Sequence, residues 1–258
     1  MRICIKIGTS TLAHPSGHLN IRQVEEVCKV LSDLKNAGNE IVLVSSGAIG
    51  MGVGKLGLNA RPGDMPTKQA AAAVGQCELM YVYDKLFSQY NHTVAQILLT
   101  GADLEQEERR KNFCNTLFRL LELGALPIVN ENDTVVTDEI GIGDNDTLAA
   151  IVAVHAKAEL LVLLSDIDGL YTADPHRHTG AKLISSVPEL TPEIWKLAEG
   201  KGSELATGGM TTKLGAANIV TSHGCDMIIT NGKKPSVLYD IVEGIPVGTR
   251  FLGKEQTK

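Results

Sequence analysis

The stretch ALPIVNENDTVVTDEIGIGDNDTLAAIVAVHA, residues 125–156, contains a strand pattern, an acidic connection and a helix pattern in direct succession. Ala125 to Val129 is a short apolar run typical of a buried strand, and Thr147 to Ala156 is helix-like. A strand followed by a helix is the repeating unit of α/β proteins. We therefore expect an α/β fold, with the acidic connection at the carboxyl end of a strand.

Five further apolar runs indicate strands, and helical patterns separate them. They are Ile3–Ile7, Ile41–Val44, Val94–Leu99, Leu160–Leu164 and Met227–Ile229. This alternation is typical of a mainly parallel sheet that is covered on both faces, and ligands of such sheets bind beyond the carboxyl ends of the strands. The residues at those ends are Gly8, Ser46, Asn130 and Ser165. We expect these separate segments to converge on one crevice.

The acidic connection, from Asn130 to Asp146, has six carboxylates and three asparagines but no lysine or arginine. The carboxylates are Glu131, Asp133, Asp138, Glu139, Asp144 and Asp146. Carboxylates this close repel one another, so the run suggests a bound cation, either a metal ion or an ammonium group of a substrate. The alternative is a solvated loop whose Asp and Asn residues form turns. A calcium loop is excluded, because the glycine at its sixth position and the glutamate at its twelfth are missing.

Two lysines stand beside glycine-rich backbone, and both settings suit a phosphate. Lys6 ends a strand pattern and precedes Gly8-Thr9-Ser10, where the glycine allows close approach and the amides can donate. The second setting is the run TGGMTTK, residues 207–213, whose glycines precede a helix pattern over Met210–His223. The amino terminus of such a helix offers free amides and the positive end of its dipole. The alternatives are an edge-strand lysine and an ordinary glycine turn.

Together these segments suggest phosphoryl transfer, although the chain has no Walker A pattern. The transferred group carries charge on three oxygens and needs flanking cations more than a covalent nucleophile. A carboxylate of the acidic run could hold both lysines in register. The turn Ser46-Gly47-Ala48, between a strand pattern and the helix pattern Ala48–Lys55, could offer amides and a hydroxyl to the acceptor. Its alternative is a plain helix N-cap.

Five segments resemble the amino acid kinase family, most closely its members that phosphorylate free L-glutamate. In chain order they are KIGTS, VLVSSGAIGMG, VNENDTVVTDEIGIGDND, SDIDGLYTADP and ATGGMTTK. The resemblance implies a three-layer α/β/α sandwich with a mainly parallel open sheet. Residues 1–157 would form an N-lobe that binds glutamate and residues 158–258 a C-lobe that binds ATP, together one continuous domain. The implied reaction transfers the γ-phosphate of ATP to the side-chain carboxylate of L-glutamate, the first step toward proline.

The resemblance also assigns roles to individual residues. Lys6 and Lys213 would neutralise the γ-phosphate as it moves, and Asp146 would orient both lysines. The positions expected to hold glutamate are Ser46, Asp133 and Asn145. The positions expected to hold ATP are Lys6, Gly8, Gly47, Ser165, Asp166, Thr207, Gly208, Gly209, Met210, Thr211, Thr212 and Lys213. ATP would arrive with Mg²⁺ held mainly by phosphates and water, with no fixed protein ligand.

Glutamate also fits the local chemistry, since Asp133 can pair with its ammonium group whereas an acidic loop repels a more anionic N-acylated analogue. Other acceptors of the family stay open, namely N-acetylglutamate, aspartate, carbamate or a nucleotide monophosphate. The labile acyl phosphate suggests a γ-glutamyl phosphate reductase as partner, and family analogy suggests a homo-oligomer. Many related members continue into a small PUA-like module, whereas this sequence stops at Lys258. We expect the kinase core without that module, and the sequence leaves inhibition by proline open.

Composition narrows the remaining classes. The chain has 258 residues, a net charge of −6 and 4% aromatic residues. A negative net charge and few aromatic side chains argue against a surface that binds nucleic acid. Its five scattered cysteines indicate reduced thiols, and neither a signal peptide nor a membrane-spanning run is evident. We expect a cytoplasmic enzyme.

Two functions of other classes remain as alternatives. The sequence GVGKLG, residues 52–57, matches GxGxxG, but a dinucleotide site needs this motif directly after a strand and an acidic residue about 20 residues later. The strand pattern ends at Ser45 and the residues from Ala70 to Leu79 look helical, so an oxidoreductase is disfavoured. A non-catalytic amino-acid sensor of the same fold is also disfavoured, because it would have no need of both lysines and Asp146.

Overall fold

The computed structural model describes residues 1–14, 18–60, 62–135, 142, 144–175, 178–198 and 209–254. The strands in these ranges are β1 (Arg2–Ile7), β2 (Glu40–Ser45), β3 (Val94–Leu99), β4 (Leu126–Glu131), β5 (Leu160–Ser165), β6 (Ser186–Val187), β7 (Asp226–Asn231) and β8 (Thr249–Phe251). The helices are α1 (Thr9–Leu12), α2 (Ile21–Asn36), α3 (Ala48–Lys55), α4 (Met65–Ser88), α5 (Gly101–Glu105), α6 (Glu107–Glu122), α7 (Asn145–His155), α8 (Pro192–Ala198), α9 (Met210–Thr221) and α10 (Val237–Val242). Among these residues, no helix combines the length and apolarity that a bilayer crossing requires.

The strands form one eight-stranded sheet in the order β3-β4-β2-β1-β5-β7-β8-β6. Every pairing is parallel except that of β7 with β8. This confirms the predicted mainly parallel sheet, and each predicted strand is present. The short strands β6 and β8 were not predicted, because two or three residues carry no readable periodicity.

Alternate residues of β1 pack into two apolar clusters, one on each face of the sheet. Ile3, Ile5 and Ile7 pack with residues of α2 and α4, whereas Cys4 packs with residues of α7 and α9. The predicted three-layer α/β/α sandwich is therefore confirmed. Side chains two residues apart on a strand share a face, so Lys6 lies on the same side as Cys4, toward α7 and α9.

The acidic connection differs from the prediction at both ends. Ala125 closes the end of α6, because its amide donates to the carbonyl of Leu120 at 2.9 Å, so β4 begins one residue later than expected. At the other end β4 extends through Asn130 and Glu131, which pair with β3. Helix α7 starts at Asn145, two residues before the predicted Thr147. Regular secondary structure thus extends further into the connection from both sides than the sequence pattern indicates.

The sheet reverses its winding between β1 and β5. The chain passes from β1 to β2 on one side, whereas β5 is followed across the sheet by β7 on the other. Such a switch point leaves a crevice beyond the carboxyl ends of the two strands. Gly8 and Asp166 follow those ends directly.

Helices α3 and α4 are in backbone contact at two glycines. A Cβ atom at Gly52 would lie 1.7 Å from the carbonyl oxygen of Ala71, and one at Gly75 would lie 1.7 Å from that of Ala48. Both distances are far below van der Waals contact, so only glycine fits. The GVGKLG sequence thus begins inside α3, and its first glycine, Gly52, allows the backbones of α3 and α4 to touch.

Candidate active site

Three charged side chains from three elements meet on the α7 and α9 side of the sheet. Lys6 of β1 places Nζ 2.7 Å from Asp146 Oδ1, and Lys213 of α9 places Nζ 3.0 Å from Asp146 Oδ2. The side chain of Asp146 is 1% exposed, and those of Lys6 and Lys213 are 12% and 6% exposed. One carboxylate thereby holds two ammonium groups close together despite their mutual repulsion. We call these three residues the ion cluster, which carries a net positive charge when Asp146 is ionised.

The ionised state of Asp146 is favoured by its partners. Burial acts to raise the pKa of this carboxyl, but the charges and hydrogen bonds of Lys6 and Lys213 outweigh burial and lower it below its usual value. Thr212 adds a contact, with Oγ1 3.2 Å from Asp146 Oδ2 and 2.8 Å from the carbonyl of Gly209. Its single proton can serve either acceptor.

Asp144 fixes the orientation of the first turn of α7. Its Oδ1 accepts from the amides of Asp146 and Thr147 at 2.8 and 2.9 Å, and its Oδ2 accepts from the Thr147 hydroxyl at 2.8 Å. This is a helix N-cap, which satisfies amides that have no partner inside the helix. The side chains of Asn145 and Asp146 therefore project from the helix in fixed and different directions.

The amino terminus of α9 adjoins the ion cluster and is suited to an anion. Gly209 is its N-cap and makes no side-chain capping bond, so the first-turn amides lack the acceptor that Ser or Asp would supply. Lys213 lies one turn inside the helix, as predicted. Gly8, the residue directly after β1, lies next to the ion cluster, since a Cβ atom there would lie 3.5 Å from Lys6 Nζ. Of the predicted nucleotide residues, Thr207 and Gly208 lie outside the described residues.

The turn after β2 presents Ser46 and the start of α3. Gly47 is the N-cap with φ +104° and ψ −4°, a left-handed conformation that strains any other residue, and no side chain caps the helix. The amide of Ser46 donates to the carbonyl of Ile7 at 3.1 Å, which ties this turn to the end of β1. The predicted Ser46-Gly47-Ala48 turn thus lies beside the strand that carries Lys6.

A chain of uncharged side chains connects this turn with α7, β4 and α4. Asn145 Nδ2 lies 2.7 Å from Ser46 Oγ and 3.2 Å from Asn130 Oδ1. Asn130, which is 2% exposed, donates from Nδ2 to Gln76 Oε1 at 3.0 Å. We call Ser46, Asn145, Asn130 and Gln76 the amide network. It runs alongside the ion cluster, because Asn145 and Asp146 are consecutive.

The acidic run is partly neutralised by the protein itself. Besides Asp144 and Asp146, Glu131 has a partner, since its Oε1 accepts from the amide of Ile142 at 2.7 Å. Burial raises the pKa of Glu131, and the charge of Asp144 adds to that effect. Asp133 is half-buried in the turn after β4. Asp138 and Glu139 lie outside the described residues. The contacts of Glu131, Asp144 and Asp146 account for part of the crowding of carboxylates without a bound cation.

The carboxyl end of β5 contains two further predicted nucleotide residues, whereas Met210 and Thr211 lie in the first turn of α9. Ser165 ends the strand and is buried, and its Oγ lies 3.1 Å from Asp166 Oδ1, whereas Asp166 is exposed. Asp168 accepts from Asn231 Nδ2 at 2.8 Å and from the Tyr171 hydroxyl at 3.0 Å. Asp168 therefore links the ends of β5 and β7.

Sequence reasoning did not assign site roles to Asp144, Asn130 and Gln76. Asp144 could have been found as an N-cap, because aspartate directly before a helix is a strong capping signal. Asn130 had a partial signal, since it ends a predicted strand. Gln76 had none, because it lies inside a long helix and reaches the site only through the packing of α4 on α3.

Comparison with known proteins agrees with this architecture and with the sequence resemblance. The amino acid kinase family matches residues 1–231. The chain is 51% identical to a glutamate 5-kinase of Clostridium perfringens, with 98% of this chain and 96% of the relative covered. It is 50% identical to a glutamate 5-kinase of Listeria innocua, with 99% of this chain and 94% of the relative covered.

Solved structures share the fold at much lower identity. An isopentenyl phosphate kinase of T. acidophilum superposes with a TM-score of 0.66 at 18% identity, over 97% of this chain and all of that one. A UMP kinase of Bacillus anthracis superposes with a TM-score of 0.66 at 15% identity, over 98% of this chain and 96% of that one. The family match covers most of the chain and both glutamate 5-kinases share about half of its residues, so the chain belongs to the amino acid kinase family.

Proposed function

We propose that the chain transfers the γ-phosphate of ATP to the side-chain carboxylate of L-glutamate, giving γ-glutamyl 5-phosphate and ADP, the first step of proline biosynthesis. The observation that carries this proposal is the identity of about half of all residues with glutamate 5-kinases along nearly the whole chain. The ion cluster supports it, because phosphoryl transfer needs fixed positive charge beside the moving group.

The chemistry requires no general base. The γ-carboxylate of glutamate is ionised at neutral pH and can attack the γ-phosphorus of MgATP directly, in line with the departing ADP. Lys6 and Lys213 stabilise the negative charge on the transferred oxygens. Asp146 is a positioning residue, since its two oxygens hold the two ammonium groups 2.7 and 3.0 Å away.

ATP occupies the crevice beyond the carboxyl ends of β1 and β5 in this proposal. The first-turn amides of α9, from Gly209 to Thr212, receive phosphate oxygens, and Gly8 and Gly47 allow the phosphates to approach the backbone. Ser165 and Asp166 line the nucleotide side, together with Thr207 and Gly208. Mg²⁺ would accompany ATP, would be held mainly by phosphates and water rather than by a fixed protein ligand, and would offset the charge of the phosphates.

Glutamate occupies the side of the amide network. Asp133 pairs with its ammonium group, which an N-acylated analogue lacks. Ser46 accepts a hydrogen bond from Asn145, which leaves the serine proton available for a carboxylate of the substrate. The first amides of α3 are further donors on the same side.

Several broader features belong to the same proposal. Residues 1–157 form the glutamate lobe and residues 158–258 the ATP lobe of one domain. The acyl phosphate hydrolyses readily, so a γ-glutamyl phosphate reductase is the partner that receives it, and the enzyme acts as a homo-oligomer in the cytoplasm. Pull-down without enrichment of a reductase, or light scattering that gives a monomer mass, would count against these two associations.

The first experiment measures MgATP-dependent acyl-hydroxamate formation with L-glutamate, N-acetylglutamate and aspartate. Product with L-glutamate alone is expected, and a parallel series with added proline tests inhibition. Silence with all three acceptors, in a sample that binds ATP by calorimetry, would overturn the proposed acceptor and favour a sensor.

A further inference from the structure

A buried amide group at the end of the amide network has no acceptor among the described residues. Gln76 is 8% exposed, and its Nε2 is buried without a hydrogen-bond partner in the part of the chain that the structure describes. A buried donor left without an acceptor destabilises the folded state. A polar group of this kind calls for a physical explanation, and a ligand that completes the bond is one.

The orientation of the Gln76 amide follows from a backbone donor. The amide of Glu131 can only donate, and it lies 2.9 Å from Asn130 Oδ1, which fixes the oxygen of Asn130 on that side. Asn130 must then present Nδ2 to Gln76, at 3.0 Å from Oε1. Gln76 therefore uses its oxygen toward Asn130 and keeps both protons of its NH₂ group.

Gln76 is held beside the acceptor side of the site. The preceding residue, Gly75, packs its backbone against the carbonyl of Ala48, the first residue of α3. Through Asn130 and Asn145 the same side chain connects to Ser46. Its unused protons thus lie in a region that already offers the amides of α3 and the Ser46 hydroxyl. Hydrogen-bond donors on one side of a site fit an anionic group.

We propose that Gln76 Nε2 donates a hydrogen bond to a carboxylate of the amino acid acceptor and so helps to determine acceptor specificity, an inference that rests on the proposed function. A carboxylate supplies the acceptor that the buried amide lacks, and the bond to an ionised group is stronger than one between neutral groups. An acceptor without a carboxylate at that position would leave the amide unsatisfied and would bind more weakly.

The test replaces only the donor. Gln76→Glu keeps an oxygen for Asn130 but exchanges the NH₂ group for an oxygen that repels a carboxylate when ionised. At pH 8 the KM for L-glutamate is expected to rise at least about tenfold, with kcat and the KM for ATP within about threefold of the unsubstituted enzyme. Gln96→Glu adds the same charge at an exposed position of β3 and should leave all three constants unchanged.

A pH series separates contact from mere structural support. Protonation of the introduced carboxyl restores a donor, so the ratio of variant KM to unsubstituted KM is expected to fall as pH is lowered from 8 to 6. A purely structural defect would not follow the charge of that carboxyl. Gln76→Met, which removes the donor without adding charge, should also raise the glutamate KM, and it serves if the charged variant does not fold.

Each result decides between the two proposals. An unsubstituted enzyme that phosphorylates glutamate, with variants whose KM for glutamate is unchanged, would overturn the role of Gln76 alone. An equal rise of the KM for ATP and for glutamate would do the same, since it indicates general damage. An unsubstituted enzyme inactive with glutamate would instead overturn the proposed function.

Discussion

Asn145 and Asp146 are adjacent in the first turn of α7, but their side chains join two networks of opposite character. Asp146 holds the ammonium groups of Lys6 and Lys213. Asn145 contacts a serine hydroxyl and a second asparagine, all uncharged. The N-cap Asp144 fixes both residues at once, so one helix end supplies both halves of the site.

This difference indicates a division of labour. A moving phosphoryl group changes the charge distribution during the reaction, so fixed charges beside it act most strongly on the transition state. Neutral donors hold the acceptor similarly before and during transfer, so they act mainly on binding. Substitutions in the ion cluster should therefore lower kcat, and substitutions in the amide network should raise the KM for glutamate.

The largest effect is expected for Lys213→Met, with a similar loss for Lys6→Met. Methionine fills much of the lysine stem but removes the charge, so kcat should fall by about 10²–10³-fold while the KM for glutamate changes little. Steady-state kinetics with the hydroxamate assay measure both constants. Lys29→Met, at an exposed position of α2, is the matched control. A kcat equal to that of the control would remove the lysine from the chemistry.

Asp146→Asn should lower kcat less, by up to about 100-fold, because the charges stay but their positions loosen. It should also destabilise the fold by about 3 kcal/mol, since two buried ammonium groups lose their counter-charge. The pKa of Asp146 is lowered in the folded state, so its contribution is complete above the unfolded value of about 3.9 and is lost as pH falls through the folded pKa.

Denaturant unfolding from pH 7 down to pH 3 checks this second prediction. The unsubstituted chain should lose stability at the acid end more steeply than Asp146→Asn, which has no such carboxyl. Asp84→Asn, at an exposed site of α4, controls for the loss of one acidic group. Parallel pH curves for Asp146→Asn and the unsubstituted chain would contradict the role of the buried ion pairs.

A smaller effect, on a different constant, is expected for Asn145→Ala. Loss of its contacts to Ser46 and Asn130 should raise the KM for glutamate about tenfold, equivalent to roughly 1.4 kcal/mol, and leave kcat within about threefold. A double-mutant cycle sharpens the comparison. Asn145→Ala and Ser46→Ala should be non-additive, because their side chains lie 2.7 Å apart. If Asn145→Ala changed mainly kcat, the proposed separation between the amide network and the ion cluster would be wrong.

The smallest effect is expected for Tyr83→Phe, which removes a buried hydroxyl behind the site. Tyr83 OH lies 2.8 Å from Ser45 Oγ and ties α4 to the end of β2. Its loss should reduce the free energy of unfolding by about 1 kcal/mol without changing kcat or the KM for glutamate. Thermal unfolding with parallel kinetics measures both. A change in KM would extend the amide network to this pair.

The sequence was most informative where the pattern is periodic or the residue type is rare. The six predicted strands are present because each is a continuous apolar run, and the helix over Ala48–Lys55 was predicted to the residue. Lys6 and Lys213 were singled out by their glycine-rich settings and Asp146 by motif resemblance, and the roles of all three remain predictions. Spacing alone does not bring residues 6, 146 and 213 together. Their contact depends on the parallel register of β1 with its neighbours and on which face of the sheet α7 and α9 cover.

Other features depend on packing that leaves no local signature. Gln76 resembles any polar residue of a helix until α4 is placed against α3. The strands β6 and β8 are too short to be distinguished from loops. The crowding of carboxylates in the acidic run suggested a cation site, whereas Asp144 and Glu131 accept hydrogen bonds from backbone amides. A count of charges does not reveal which carboxylates the backbone already uses.

The two glycines between α3 and α4 limit how far this chain can diverge while keeping its fold. At Gly52 and Gly75 the obstructing atoms belong to the backbone of the facing helix, so no rotamer change can make room. A library randomised at both positions and selected for soluble protein should return glycine at each. A library selected for activity with a different acceptor should do the same, because the requirement comes from helix packing. Gly57, with open space around it, should vary more freely within the limits of its positive φ. Engineered acceptor specificity is therefore best sought in side chains next to the glycine contact, with the contact itself left intact.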